Sequence, residues 1–198
     1  MGANKKEIEK LFRQKNGYVY TSDLRQAGIH HAYLEPLLKE GIIIKVKHGL
    51  YKLTNWEIED ELEEVVRIVP NGVVCLLSAW SYYELSNYVP PEYHVAIEKS
   101  QKVVLPDYPP IQLYFWTQKY WKLGITSVKI GNTEVKIYDK EKCVCDAIRY
   151  RNKLGKEVEK EVLENYLRFP GRNIDLLFSY AKELRVKTKL TQYLELLI

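Results

Sequence analysis

His30, His31 and Tyr33 stand together ahead of a short apolar repeat, and Lys45, Lys47 and His48 follow in a basic stretch. Thr21 and Ser22 open an earlier helical pattern. These are hydrogen-bonding and cationic groups rather than nucleophiles. An imidazole or phenol can meet a base edge, and an ammonium, a hydroxyl or a helix start can meet a phosphate. A metal site at His30-His31 is not expected. Adjacent helical residues point about 100° apart, and no further ligands stand at useful spacing. Cys143-x-Cys145 is the other tempting pair. On a helix its thiols diverge by about 200°, and its neighbours are apolar, so both read as buried structural cysteines. Asp139 and Asp146 are candidate catalytic carboxylates. Asp139 reads better as a helix cap, and Asp146 as a buried or partner-facing anchor. The sequence has no P-loop, no Gly-x-Gly-x-x-Gly, and no Gly-Ser turn followed by clustered aspartates for Mg²⁺. No catalytic residue, metal or cofactor is therefore expected.

The elements that must position the first group are legible around it. Ile8, Leu11 and Phe12 predict an amphipathic helix over Lys5–Lys15. Thr21 or Ser22 caps a second helix, with Leu24 and Ala27 inward and Gly28 as its stop. A third helix runs from His30 to Gly41 on Leu34, Leu37 and Leu38. Pro36 within it implies a kink or a later start. Ile42–Ile44 and Leu50–Leu53 read as strands flanking Lys45–Gly49, a wing tip. That order is a winged helix-turn-helix, whose recognition helix presents its first residues to the major groove. The candidate DNA-binding residues are Thr21, Ser22, Arg25, His30, His31, Tyr33, Lys39, Lys45, Lys47 and His48, with double-stranded DNA as partner.

Charge follows the same division. Residues 1–56 carry ten Lys/Arg against five Asp/Glu, residues 57–100 two against nine, and residues 101–198 eighteen against twelve. A basic head followed by an acidic segment fits a DNA reader joined to a different domain. In the second part a helix is expected over Glu57–Val69, with an acidic outer side, and a buried helical stretch over Val73–Leu85. Strands are expected at His94–Ile97 and Ile111–Trp116, with a long loop over Lys99–Pro110 between them. A hairpin turns at Gly131-Asn132, and helices follow from Asp139 to the end. The expected fold is α+β: a winged helix-turn-helix over residues 1–56, then a mixed α/β C-terminal domain over 57–198 ending in helices. Three cysteines without framework spacing fit a reducing cytoplasm. The start lacks a signal-peptide run, and Val73–Trp80 is far short of the roughly 20 residues a spanning helix needs. A cytoplasmic protein without a membrane partner is expected.

The pattern resembles the AbiEi-type antitoxin family, the transcriptional regulators of abortive-infection toxin–antitoxin pairs grouped as type IV. The matching stretches are TSDLRQAGI (Thr21–Ile29), LLKEGIIIKVKHGLYKL (Leu37–Leu53), LLSAWSYYELSNYVPPEYHVAI (Leu76–Ile97) and VKIYDKEKCVCDAI (Val135–Ile148), with DLLFSYAKELRV and QYLELL near the end. Where the family favours a histidine, this chain has Ala79-Trp80. The resemblance implies an autorepressor that binds inverted repeats in its own operon promoter. It also implies a C-terminal domain that counters a nucleotidyltransferase-like toxin without requiring a stable complex. A monomer that binds DNA cooperatively fits this reading. Asp146, Arg149, Arg151 and Lys153 are the candidate antitoxin surface. The alternative is a one-component repressor whose second domain senses a small ligand or binds a protein partner. Tyr82, Tyr83, Tyr114, Trp116, Tyr120 and Trp121 would then line a pocket instead of filling a core.

Overall fold

A computed structural model describes residues 5–197. The chain mixes helices with two separate sheets. Its N-terminal part runs α1 (Lys5–Gln14), β1 (Tyr18–Tyr20), α2 (Thr21–Gln26), a 3-10 turn (His31–Tyr33), α3 (Leu34–Lys39), β2 (Ile43–Lys47) and β3 (Leu50–Leu53). The α1 helix buries Ile8 and Phe12. It stops where Asn16 and Gly17 take positive φ. Gly17 is required there, because a Cβ would fall 2.1 Å from the Trp56 ring. Asp23 Oδ2 accepts the Tyr20 N–H at 2.8 Å and closes a capping box at the start of α2.

Three expectations shift here. Thr21 and Ser22 are the first residues of α2 rather than its cap, which is Tyr20. Ala27 is exposed rather than inward. The third helix starts at Leu34, not His30, which places Pro36 in its first turn, where a missing N–H costs nothing.

Alternation divides the three-stranded sheet, ordered β1-β3-β2, into two faces. Val19, Ile43 and Leu53 join Ile8, Phe12, Leu24, Leu34 and Leu37 in one core. Tyr18 and Leu50, on the opposite face, belong to a second core shared with the rest of the chain. The turn expected as a wing tip over Lys45–Gly49 is also shorter. Lys45, Val46 and Lys47 are strand residues, leaving His48-Gly49 as the turn.

The C-terminal part has a five-stranded mixed sheet, ordered β6-β5-β4-β8-β7: β4 (Val73–Val74), β5 (Tyr93–Glu98), β6 (Ile111–Trp116), β7 (Ile125–Ile130) and β8 (Thr133–Tyr138). The β5–β6 and β4–β8 pairs are parallel, and β4–β5 and β7–β8 antiparallel. Helices α4 (Leu62–Ile68), α5 (Leu76–Tyr82) and α6 (Gln118–Lys122) are short. Helix α7 (Lys140–Leu154) is buried from Glu141 to Ile148 and packs against α5, α8 (Lys156–Arg168), α9 (Ile174–Glu183) and α10 (Lys187–Leu197). Trp80 Nε1 donates to the Cys143 carbonyl at 3.2 Å and ties α5 to α7.

The expected Glu57–Val69 helix forms only from Leu62, whose N–H donates to Asp60 Oδ1 at 2.7 Å. The Val73–Leu85 stretch splits into β4 and α5, with Leu76 at φ +46° at the junction.

Candidate nucleic-acid interface

The start of α2 and the hairpin turn are one place in the structure. The Thr21 N–H donates to the Gly49 carbonyl at 2.9 Å. Ser22 and Arg25 are exposed on α2, and Lys45 and His48 on the hairpin. His30, His31 and Tyr33 are exposed on the approach to α3, with the two imidazole centroids 4.5 Å apart. His30 Nδ1 accepts the Ala32 N–H at 3.3 Å and caps the 3-10 turn. Its Nε2 is then the ring atom left for an outside partner. Lys39 pairs with Glu35 at 2.9 Å across one turn of α3. That ammonium, bonded to the carboxylate, holds Glu35 below the usual range.

Lys47 has a different position from the one the sequence suggests. Its Nζ donates to the Ile68 carbonyl, at the end of α4, at 2.6 Å, and burial pulls its pKa down. It lies with a group of contacts that sequence reasoning missed. Glu64 Oε2 accepts from the Tyr18 hydroxyl at 2.5 Å and from Lys52 Nζ at 2.8 Å. The Tyr20 hydroxyl donates to the Arg67 carbonyl at 2.5 Å, and the Arg67 guanidinium lies 4.6 Å from the Tyr18 ring centre. Burial, then Glu64, pushes the Tyr18 hydroxyl up. Glu64 and the carbonyls of Arg67 and Ile68 thus clasp the basic sheet. Glu63 turns the other way, accepting from Thr133 Oγ1 at 2.8 Å. The adjacent runs of opposite charge were the available signal.

The proposed antitoxin residues separate. Asp146, expected on a partner surface, is 1% exposed: Lys142 Nζ lies 2.5 Å from it and Arg149 3.1 Å. Lys142 is itself fully buried, 4.2 Å from the Trp116 ring centre and 4.4 Å from that of Tyr138. Leaving either charge alone there would be costly, so Asp146 is a partner inside the fold. Arg149 is half-buried over the Tyr120 ring. Arg151 is half-buried and donates to the Ile148 carbonyl at 2.7 Å, while Lys153 is exposed.

Cys143 and Cys145 face different neighbours, the Tyr138 and Leu177 carbonyls, and burial pushes both thiols up. Asp139 Oδ1 accepts the Lys142 N–H at 2.8 Å as the cap of α7, and burial raises its carboxyl. Among the described residues, no group of three or more His, Cys, Asp or Glu is arranged to hold a metal ion, and no helix is long and apolar enough to cross a membrane. Tyr150 meets Tyr114 edge-on and lies tilted against Trp116, and of the three Trp116 is buried. Tyr82 instead lines an open cleft of about 410 Å³ with Glu61, Tyr93 and Tyr108.

The crystal structure of the RV2827C protein from Mycobacterium tuberculosis aligns with 91% of this chain and 75% of its own, at 12% identity and a TM-score of 0.47. No curated protein matches the chain. Residues 6–54 match the family model described as transcriptional regulator, AbiEi antitoxin, which is the family the sequence resembles.

Proposed function

We propose that the chain is an AbiEi-type antitoxin and transcriptional autorepressor. In this reading residues 1–56 are a winged helix-turn-helix that binds inverted repeats in the promoter of its own operon. Residues 57–198 are an antitoxin domain that counters a nucleotidyltransferase-like toxin, with no stable complex needed. The observation that carries the DNA half is the surface formed by Ser22, Arg25, His30, His31, Tyr33, Lys45 and His48. All are exposed, within a segment matched by a transcriptional-regulator family model. The 3-10 turn and first turn of α3 bring His31 and Tyr33 toward base edges. The Ser22 hydroxyl, Arg25 and the hairpin's Lys45 and His48 offer hydrogen-bond donors and charge to the backbone.

The test is a gel-shift titration against the chain's own upstream DNA, at two salt concentrations and with unrelated competitor. Stepwise shifts that resist competitor are expected, one per half-site. Binding that vanishes at higher salt without sequence preference would overturn the repressor reading. The antitoxin half is tested by co-expression with the neighbouring toxin gene, where the intact chain restores growth. Lys153, the exposed member of the candidate antitoxin surface, is the residue best placed to meet a partner.

A second reading, a repressor that senses a small ligand, is favoured by one observation. The open cleft lined by Tyr82, Tyr93 and Tyr108 includes Glu61 and Leu62, at the start of the helix that clasps the basic sheet. A ligand there would act through α4. DNA affinity that changes with an added metabolite would favour this reading.

A further inference from the structure

The hairpin turn has a neighbour from the C-terminal part. A second cleft, of about 390 Å³, has Lys47 and His48 on one side. Asn71 and the segment Gln101–Val104 line the other. None of its lining residues is a carboxylate, and Lys47, His48, Asn71, Gln101 and Lys102 all carry groups that can donate to an anion. The cleft beside Tyr82 is the opposite case: Asp60, Glu61 and Glu92 line it and would repel a phosphate.

The charge balance of the hairpin makes this neighbour matter. Lys52 is committed to Glu64, Lys47 to the Ile68 carbonyl and Lys39 to Glu35. Lys45 is the exposed hairpin lysine outside these pairs. A duplex carries one negative charge per about 1.7 Å of axis, so a backbone that reaches the hairpin turn continues past it with its charge unmet. Lys102 is exposed across the cleft from His48. Val104, 73% exposed, adds an apolar edge that can lie against sugar.

We propose that the Gln101–Val104 segment is part of the DNA interface, seating a backbone phosphate between Lys102 and His48. The C-terminal part then lengthens the footprint beyond each half-site. This rests on the DNA-binding reading above.

The experiment compares the intact chain with Lys102→Ala, Lys102→Glu and Lys160→Ala on promoter DNA over a salt series, with hydroxyl-radical footprints of each. Lys160 lies on the exposed side of α8 and controls for bulk charge. Lys102→Ala should weaken binding to every sequence and reduce the slope of log K against log salt by about 1. Lys102→Glu should weaken binding further. Both should lose protection on the outer flank of each half-site, and Lys160→Ala should match the unsubstituted chain. Unchanged slopes and footprints in both Lys102 variants would overturn the proposal, as would an equal loss in Lys160→Ala. An unsubstituted chain that shows no specific binding would overturn the DNA reading itself, and this is seen before any variant is made. Melting temperatures within a degree or so of the unsubstituted chain's are expected throughout, because Lys102 is exposed outside regular structure.

Discussion

At the scale of single residues, the exposed groups near α3 divide by what they can read. His31 and Tyr33 offer hydrogen bonds from a 3-10 turn, and Lys45 offers chiefly charge. His31→Ala or Tyr33→Ala should lose about 1–3 kcal/mol of discrimination at one or two operator positions, with nonspecific affinity kept. Lys45→Ala should weaken all sequences alike and flatten the salt dependence. Gel shifts against an operator mutation series check this; uniform losses in all three would sink the division. Lys47→Ala belongs elsewhere, because its ammonium serves the Ile68 carbonyl. Its effect should be on stability. A second residue prediction concerns pH. His94 is buried, its Nδ1 lies 3.0 Å from the Tyr114 hydroxyl, and burial lowers its pKa from 6.5 to about 4. The unfolded chain therefore binds a proton near pH 6.5 that the folded chain refuses until about pH 4. Stability falls as pH drops through that window, by at most about 3 kcal/mol. Denaturant midpoints across the window should fall in the natural chain and stay flatter in His94→Asn. Parallel pH curves for the two would show that another group is responsible.

At the scale of elements, α4 decides how the N-terminal sheet is held. Glu64 accepts from Tyr18 and Lys52, and the Glu64 and Lys52 side chains are each 14% exposed. A pair so little exposed is worth more than a surface ion pair, and removing one partner leaves the other uncompensated. Glu64→Ala should cost about 1–3 kcal/mol, seen as a fall in Tm of roughly 2–4 °C per kcal/mol. A loss no larger than that of Glu35→Ala, whose pair is exposed, would make the clasp ornamental. Elements governed by local chemistry were legible in the sequence. Gly131-Asn132 turns the β7–β8 hairpin, Asp139 caps α7, and Gly155 separates α7 from α8. The α1 helix was legible because Ile8 and Phe12 repeat at helical spacing. Elements set by tertiary context were not. Val73 to Trp80 is buried on every side, so periodicity could not divide strand from helix. The apolar spacing from Ile58 points to a start before Leu62, but the Asp60 carboxylate takes the Leu62 N–H and fixes the first turn of α4 there. Of the candidate residues, the exposure of Ser22, Arg25, His30, His31, Tyr33, Lys45 and His48 was legible. The diversion of Lys47 was not, since its acceptor lies 21 residues away.

At the scale of the molecule, the sheet face opposite the first core determines whether the two parts can act separately. Leu50 is fully buried, and it packs with Tyr18 in the core that also holds Val65, Ile68 and the five-stranded sheet. Removing residues 1–54 would therefore strip cover from that core as well as removing the candidate DNA interface. Separating the parts by deletion confounds repression with folding, and a core substitution tests the coupling more cleanly. If the shared core and the Glu64 clasp outweigh the difference in stability between the parts, the chain unfolds in one step. Calorimetry of the intact protein should then give one transition, with equal calorimetric and van't Hoff enthalpies. Leu50→Ala should cost about 2–5 kcal/mol and lower that single transition without splitting it. Ile8→Ala, in the other core, should lower the same transition, because neither core can melt alone. Two resolved transitions in the unsubstituted chain, with Ile8→Ala moving only one of them, would overturn the coupling. The parts would then fold as independent units, and α4 would not hold them as one. A single transition instead makes the two parts one cooperative unit, the condition that any coupling through α4 requires.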